Sequence, residues 1–130
     1  MRKLLSIAVL CLAIPATAGA QSIPRGKYIV ENTSLCNDCH TPRDDKGQLI
    51  MSKSLQGAPI GSAPLHPMPW ATVAPPIAGI PASYTPDQMV TFLQTGKRPD
   101  GSMPRPPMPP YRFSREDAVA VSDYLRAMKP

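Results

Sequence analysis

Apolar positions keep a helical spacing in three stretches of the chain. In the first, Ile23, Ile29 and Val30 lead toward Leu35, and Ser22 as N-cap with Pro24 in the first turn predicts its start. Gly26 lies inside it, where Gly costs about 1 kcal/mol relative to Ala, so it marks a close crossing with another helix, the favoured reading, or else an exposed weak spot. The second stretch has an N-cap Thr85, Pro86 at the first helical position and Gln88 placed for a capping box. Met89, Val90, Phe92 and Leu93 follow, and Gly96 closes it. The third starts at Ser114 with Glu116 and Asp117 in its first turn and ends near Lys129, burying Ala118, Val121, Tyr124, Leu125 and Met128.

Between these stretches no period persists. Residues 41–83 and 97–111 are broken repeatedly by proline, including Pro75-Pro76 and the segment Pro104-Arg105-Pro106-Pro107-Met108-Pro109-Pro110. Proline lacks an N–H and fixes φ, so these segments are predicted to be loop and extended chain. A loop of that length in a small domain needs something to wrap.

Ahead of the first helix, Arg2 and Lys3, the apolar run Leu4 to Ile14 and Ala18-Gly19-Ala20 read as a secretory signal over residues 1–20. One domain is then expected over 21–130, exported to the periplasm, with no transmembrane segment after cleavage. In that domain Leu, Ile, Val and Phe make up only about 17% of the residues, below what a normal core requires. The formal net charge of +5 for the whole chain is too small to hold it open. A small domain with this deficit completes its core with disulfides, a metal or a cofactor.

The cysteines choose among these. Cys11 belongs to the signal's apolar run, which leaves Cys36-Asn37-Asp38-Cys39-His40, the C-x-x-C-H pattern of c-type haem attachment. Two thiols at this spacing can each add to one vinyl group of a haem edge, and the adjacent His40 is held under the iron as its proximal ligand. A zinc site would need a second ligand pair, and a thioredoxin-type pair would sit in a βαβ context that the pattern lacks. Ile60, Leu65, Trp70, Val73, Ile77 and Ile80 are the loop residues expected to line the haem. Trp70 carries an indole N–H suited to a haem propionate, although a lone Trp also reads as a packing residue.

The sixth ligand decides what such a haem can do. Met103 and Met108 both lie in the proline-rich segment, and prolines on both sides of Met108 would present its sulfur on a stiff loop. His66 reads as a polar loop residue.

Taken together, Cys36 to Asp44, Pro75-Pro76-Ile77-Ala78-Gly79, Thr95-Gly96, and Pro107-Met108-Pro109-Pro110-Tyr111 running into Ser114 to Leu125 resemble the class I c-type cytochromes. The closer likeness is to small periplasmic cytochromes related to cytochrome subunits of membrane-linked dehydrogenases. The resemblance implies an all-α fold, with three or more short helices and long proline-rich loops around one covalent haem c. It implies Cys36 and Cys39 as attachment sites, His40 as the proximal iron ligand and Met108 as the distal one, with Met103 as the alternative. It also pairs Gly26 on the first helix with Tyr124 on the last.

A His/Met-ligated haem has no open position for a substrate, so the expectation is an electron carrier and not an enzyme. It would move one electron from a dehydrogenase-type donor to an oxidase or other acceptor. The alternatives are a five-coordinate haem that binds a small gas or reduces peroxide, and a permanent cytochrome subunit of a dehydrogenase complex. Lys97, Arg98, Arg105, Arg112, Arg115 and Arg126 gather in the C-terminal half, where they could steer an acidic partner. An exported chain with so few aromatic residues is not expected to bind nucleic acid.

Overall fold

The computed structural model describes residues 18–129; the signal's charged start, its apolar run and Cys11 lie outside them. Helix α1 covers Ala18–Tyr28 and passes into a π-helical turn, Ile29–Thr33, and then into the short helix α2, Cys36–His40. Helix α3 covers Pro86–Thr95 and helix α4 covers Arg115–Ala127. The only sheet among the described residues is a two-residue antiparallel pair, β1 (Ala58–Pro59) with β2 (Val73–Ala74), in which Ala58 faces Ala74. The fold is small and mostly helical, with long loops between short helices.

The termini of α3 and α4 follow local chemistry. Thr85 Oγ1 accepts from the Gln88 N–H at 3.2 Å while Gln88 Oε1 accepts from the Thr85 N–H at 2.9 Å, the reciprocal capping box. Gly96 closes α3 at φ 70°, a left-handed conformation that favours glycine. Ser114 caps α4 through the Asp117 N–H. Helix α1 departs from expectation: it is already helical at Ala18, so Ser22 is not its N-cap and Pro24 sits inside it.

Helices α1 and α4 pack unusually closely at one point. A Cβ built on Gly26 would fall 2.0 Å from the Ala120 carbonyl oxygen and 2.8 Å from Tyr124 Cβ. Only a residue without a side chain lets the two backbones approach so nearly. Beside the crossing, Tyr124 Oη donates to Glu31 Oε1 at 2.8 Å, tying α4 to the π-helical turn. The core comprises Ile29 and Val30, then Met89, Val90, Phe92 and Leu93 of α3, and Ala118, Val121 and Leu125 of α4, with Leu55 and Ala78 from the loops.

The loops are held by backbone bonds that no periodicity announces. Gly57 N–H donates to His40 O at 2.8 Å, Ile77 and Ala78 N–H both reach Leu55 O, and Gly79 N–H reaches Leu125 O at 2.8 Å. These bonds lay residues 55–79 across the end of α2 and against α4.

Candidate functional site

The chain enters the motif through a break in its helix. Ser34 N–H donates to Ile29 O at 2.8 Å, an i→i−5 bond that closes the π-helical turn, and Leu35 then adopts φ 50°. This reversal starts α2 afresh at Cys36, so the motif is a separate short helix and not the continuation of α1.

Helix α2 is pinned from inside. Asn37 and Thr41 are both buried, and Asn37 Oδ1 accepts from Thr41 Oγ1 at 2.7 Å and from Ser54 Oγ at 2.8 Å. Thr41 Oγ1 in turn accepts from the Leu55 N–H at 2.9 Å. Satisfied polar networks of this kind fix geometry, because breaking one bond leaves the others buried without partners.

His40 is buried, and its Nδ1 lies 2.7 Å from the Pro75 carbonyl oxygen. A carbonyl can only accept, so Nδ1 carries the proton and Nε2 keeps its lone pair. Burial holds the pKa of His40 below its ordinary value, and the bond to Pro75 opposes this only in part. The ring is therefore neutral and oriented, a form in which Nε2 could serve as a metal ligand with Nδ1 supported by Pro75. Burial also pushes the Cys36 thiol up to about 11, so it is un-ionised at neutral pH.

Cys36, Cys39, His40 and Met108 all line one cavity of about 320 Å³, whose walls are otherwise mainly apolar: Ile29, Val30, Phe92, Leu93, Val121 and Leu125 among others. Met108 reaches it from the loop ahead of α4. Met103 does not line it and is 42% exposed. Among the described residues no three His, Cys, Asp or Glu side chains cluster to hold a metal ion. The donor set suits a haem: two thiols at the attachment spacing, a neutral imidazole nitrogen, a thioether sulfur and a wall able to bury a macrocycle.

The model of the cytochrome c family matches residues 23–129. The chain belongs to the cytochrome c family. Members of this family carry haem c and use it for electron transfer, as the class I likeness implies. A di-haem c-type cytochrome of Cereibacter sphaeroides is 29% identical over 107 residues, which are 78% of this chain and 34% of that protein. The cytochrome subunit of a fructose dehydrogenase from Gluconobacter japonicus is 30% identical over 113 residues, 80% of this chain and 21% of that subunit. The chain thus spans about a third and about a fifth of these two relatives.

Around this cytochrome's cavity the loop residues divide. Ile60, Val73 and Ile77 line it, whereas Ile80 and Trp70 do not and Leu65 is 97% exposed. The Trp70 indole N–H donates to the Ser62 carbonyl at 2.9 Å, an internal tie of its own loop. His66 is exposed. Arg43 donates to Gly47 O and lies 3.7 Å from the carboxylate of Asp38, which lines the cavity while Arg43 itself does not. Met89 lines the cavity too, although it reads from sequence as core. No described helix is long and apolar enough to cross a membrane.

Three contributors were not assigned from sequence: the Pro75 carbonyl, the Asn37 carboxamide and Tyr111. Tyr111 lines the cavity, and its hydroxyl donates to the Ser34 carbonyl at 3.0 Å. Burial, with the two thiols adding to it, pushes its phenol up to about 12, so it is a neutral donor. Its one sequence signal was its place directly after the Met-Pro-Pro phrase.

Proposed function

We propose that this cytochrome is a periplasmic carrier of single electrons on one covalently held haem, with His40 and Met108 as axial ligands. The observation that carries the reading is the convergence of Cys36, Cys39, His40 and Met108 on one mainly apolar cavity. Cys36 and Cys39 hold the haem through thioethers, and the single C-x-x-C-H in the chain supports one haem. The haem supplies the Fe(II)/Fe(III) couple. The chain's part is to keep its environment constant through that change. The Pro75 carbonyl keeps the imidazole in one tautomer and orientation. Prolines on both sides of Met108 restrict the backbone that carries its sulfur, which limits rearrangement between oxidation states. The apolar wall excludes water, and with a thioether as second ligand it favours the ferrous state and a raised potential.

Export is supported by the charged start, apolar run and A-x-A site ahead of the domain. The donor is of the dehydrogenase type and the acceptor a respiratory oxidase or other terminal protein, met through weak docking. A second reading, permanent membership of a dehydrogenase complex, is favoured by the likeness to a dehydrogenase's cytochrome subunit. Co-purification of the native protein separates the two, since a permanent subunit stays with its dehydrogenase through gel filtration.

Optical spectra of the purified holoprotein in both redox states test the ligation. A red charge-transfer band of Met-bound ferric haem, lost in Met108→Ala and kept in Met103→Ala, is expected. The opposite pattern assigns Met103, and rapid carbon monoxide binding by the native ferrous form indicates the five-coordinate alternative.

A further inference from the structure

The segment that carries Met108 is poor in backbone hydrogen-bond donors. Pro104, Pro106, Pro107, Pro109 and Pro110 have no N–H to give. At its start, the Pro106 carbonyl accepts from the Ala71 N–H at 2.8 Å, and the Met108 N–H makes only a 3.3 Å contact with Arg105 O inside the segment. Beyond Met108, the backbone is next tied to another element at Phe113, whose N–H donates to Leu93 O at 3.2 Å. Within that interval the Tyr111 side chain makes a bond of its own. Its hydroxyl donates to Ser34 O at 3.0 Å, across 77 positions of sequence.

The acceptor is well fixed. Ser34 is held by its own N–H bond to Ile29 O, which closes the π-helical turn, and only Leu35 separates it from Cys36. The Tyr111 ring is stacked on Phe113 at a centroid distance of 4.8 Å and an interplanar angle of 22°. Stacking and burial would be served equally by phenylalanine. The hydroxyl is needed only for the bond to Ser34.

We propose that Tyr111 is a positioning residue for the distal ligand, its hydroxyl latching the Met108 loop to the backbone just ahead of the haem-attachment cysteines. The proposal rests on the reading of Met108 as that ligand. With prolines stiffening the loop, release at Tyr111 lets the segment swing about its Pro106 anchor and carries Met108 with it. Tyr111 thus sets how readily an outside ligand displaces the thioether.

The test is imidazole titration of the ferric holoprotein, read by loss of the Met-bound charge-transfer band, in wild type, Tyr111→Phe and Tyr124→Phe. Tyr124→Phe removes the Tyr124–Glu31 bond, neither of whose residues lines the cavity, and serves as the control for lost stability, including any loosening of the π-helical turn. Tyr111→Phe is expected to bind imidazole roughly 2- to 10-fold more tightly, the ratio corresponding to one net hydrogen bond. Tyr124→Phe is expected to lower the denaturation midpoint while leaving imidazole affinity within twofold of wild type. Unchanged affinity in Tyr111→Phe, or an equal rise in both variants, overturns the latch while leaving Met108 as ligand. A charge-transfer band that survives Met108→Ala overturns the ligand assignment, and the latch falls with it.

Discussion

Gly26→Ala puts the helix crossing to a quantitative test. On local grounds the substitution should help, because Ala is favoured over Gly in a helix by about 1 kcal/mol. The tertiary structure reverses the sign. The added Cβ would lie 2.0 Å from the Ala120 carbonyl oxygen, 2.6 Å from its carbon and 2.8 Å from Tyr124 Cβ. Two of these atoms belong to the backbone of α4, so no rotamer change relieves the overlap, and the helices must part by more than an ångström to regain ordinary contact. Overpacking of this kind costs about 1–3 kcal/mol, with rigid backbone neighbours placing it at the upper end. Parting the helices also stretches the Tyr124–Glu31 bond, worth about 1 kcal/mol net. Against the 1 kcal/mol propensity gain, the net loss is about 2–3 kcal/mol. For a domain of this size that corresponds to a fall in Tm of roughly 10 °C or more. Thermal and denaturant unfolding of the holoprotein, followed by far-ultraviolet circular dichroism, measures it. A variant as stable as wild type, or more stable, would refute the close-crossing argument.

Asn37→Ala leaves the Thr41 and Ser54 hydroxyls without their shared acceptor and should destabilise by about 2–3 kcal/mol, more than Ser54→Ala, as read by denaturant midpoints. The phenols of Tyr111 and Tyr124 are both raised to about 12, chiefly by burial. Above pH 10 the unfolded state therefore loses protons that the folded state keeps, so stability should be full below pH 10 and decline up to about pH 12. Tyr124→Phe should flatten that decline, and an unchanged slope in alkaline denaturation curves would exclude Tyr124 as a source. Finally, Cys36→Ala/Cys39→Ala prevents covalent attachment, and because core residues of α3 and α4 face the cavity, the haem-free chain should be largely unfolded. Fast amide exchange throughout is expected, whereas a cooperative melt of the haem-free chain would contradict it.

Legibility in the sequence followed the range of the interaction. The capping box at Thr85, the left-handed stop at Gly96 and the Ser114 cap are set by residues within a turn of each other, and each appears where the local chemistry places it. The thiol pair with its adjacent histidine is likewise local, since the spacing needed to hold a haem edge is written in five consecutive residues. Even the close approach at Gly26 left a trace, because a residue so unfavourable in a helix calls for a compensating contact.

What the tertiary structure decided depends on contacts between distant segments. Residue type allowed either Met103 or Met108 to serve; only the path of the proline-rich loop brings one to the cavity and leaves the other at the surface. The Trp70 indole N–H meets the Ser62 carbonyl eight positions earlier, a pairing that no periodicity marks. A bare carbonyl at Pro75 orients His40, a role that leaves no mark on residue identity. The chain by itself determined which chemistry is available and where its helices stop, because those are matters of neighbouring side chains and backbone groups. Which side chains meet across the cavity was decided by loops whose bonds join residues 35 to 77 positions apart, and no period in the sequence encodes such pairings.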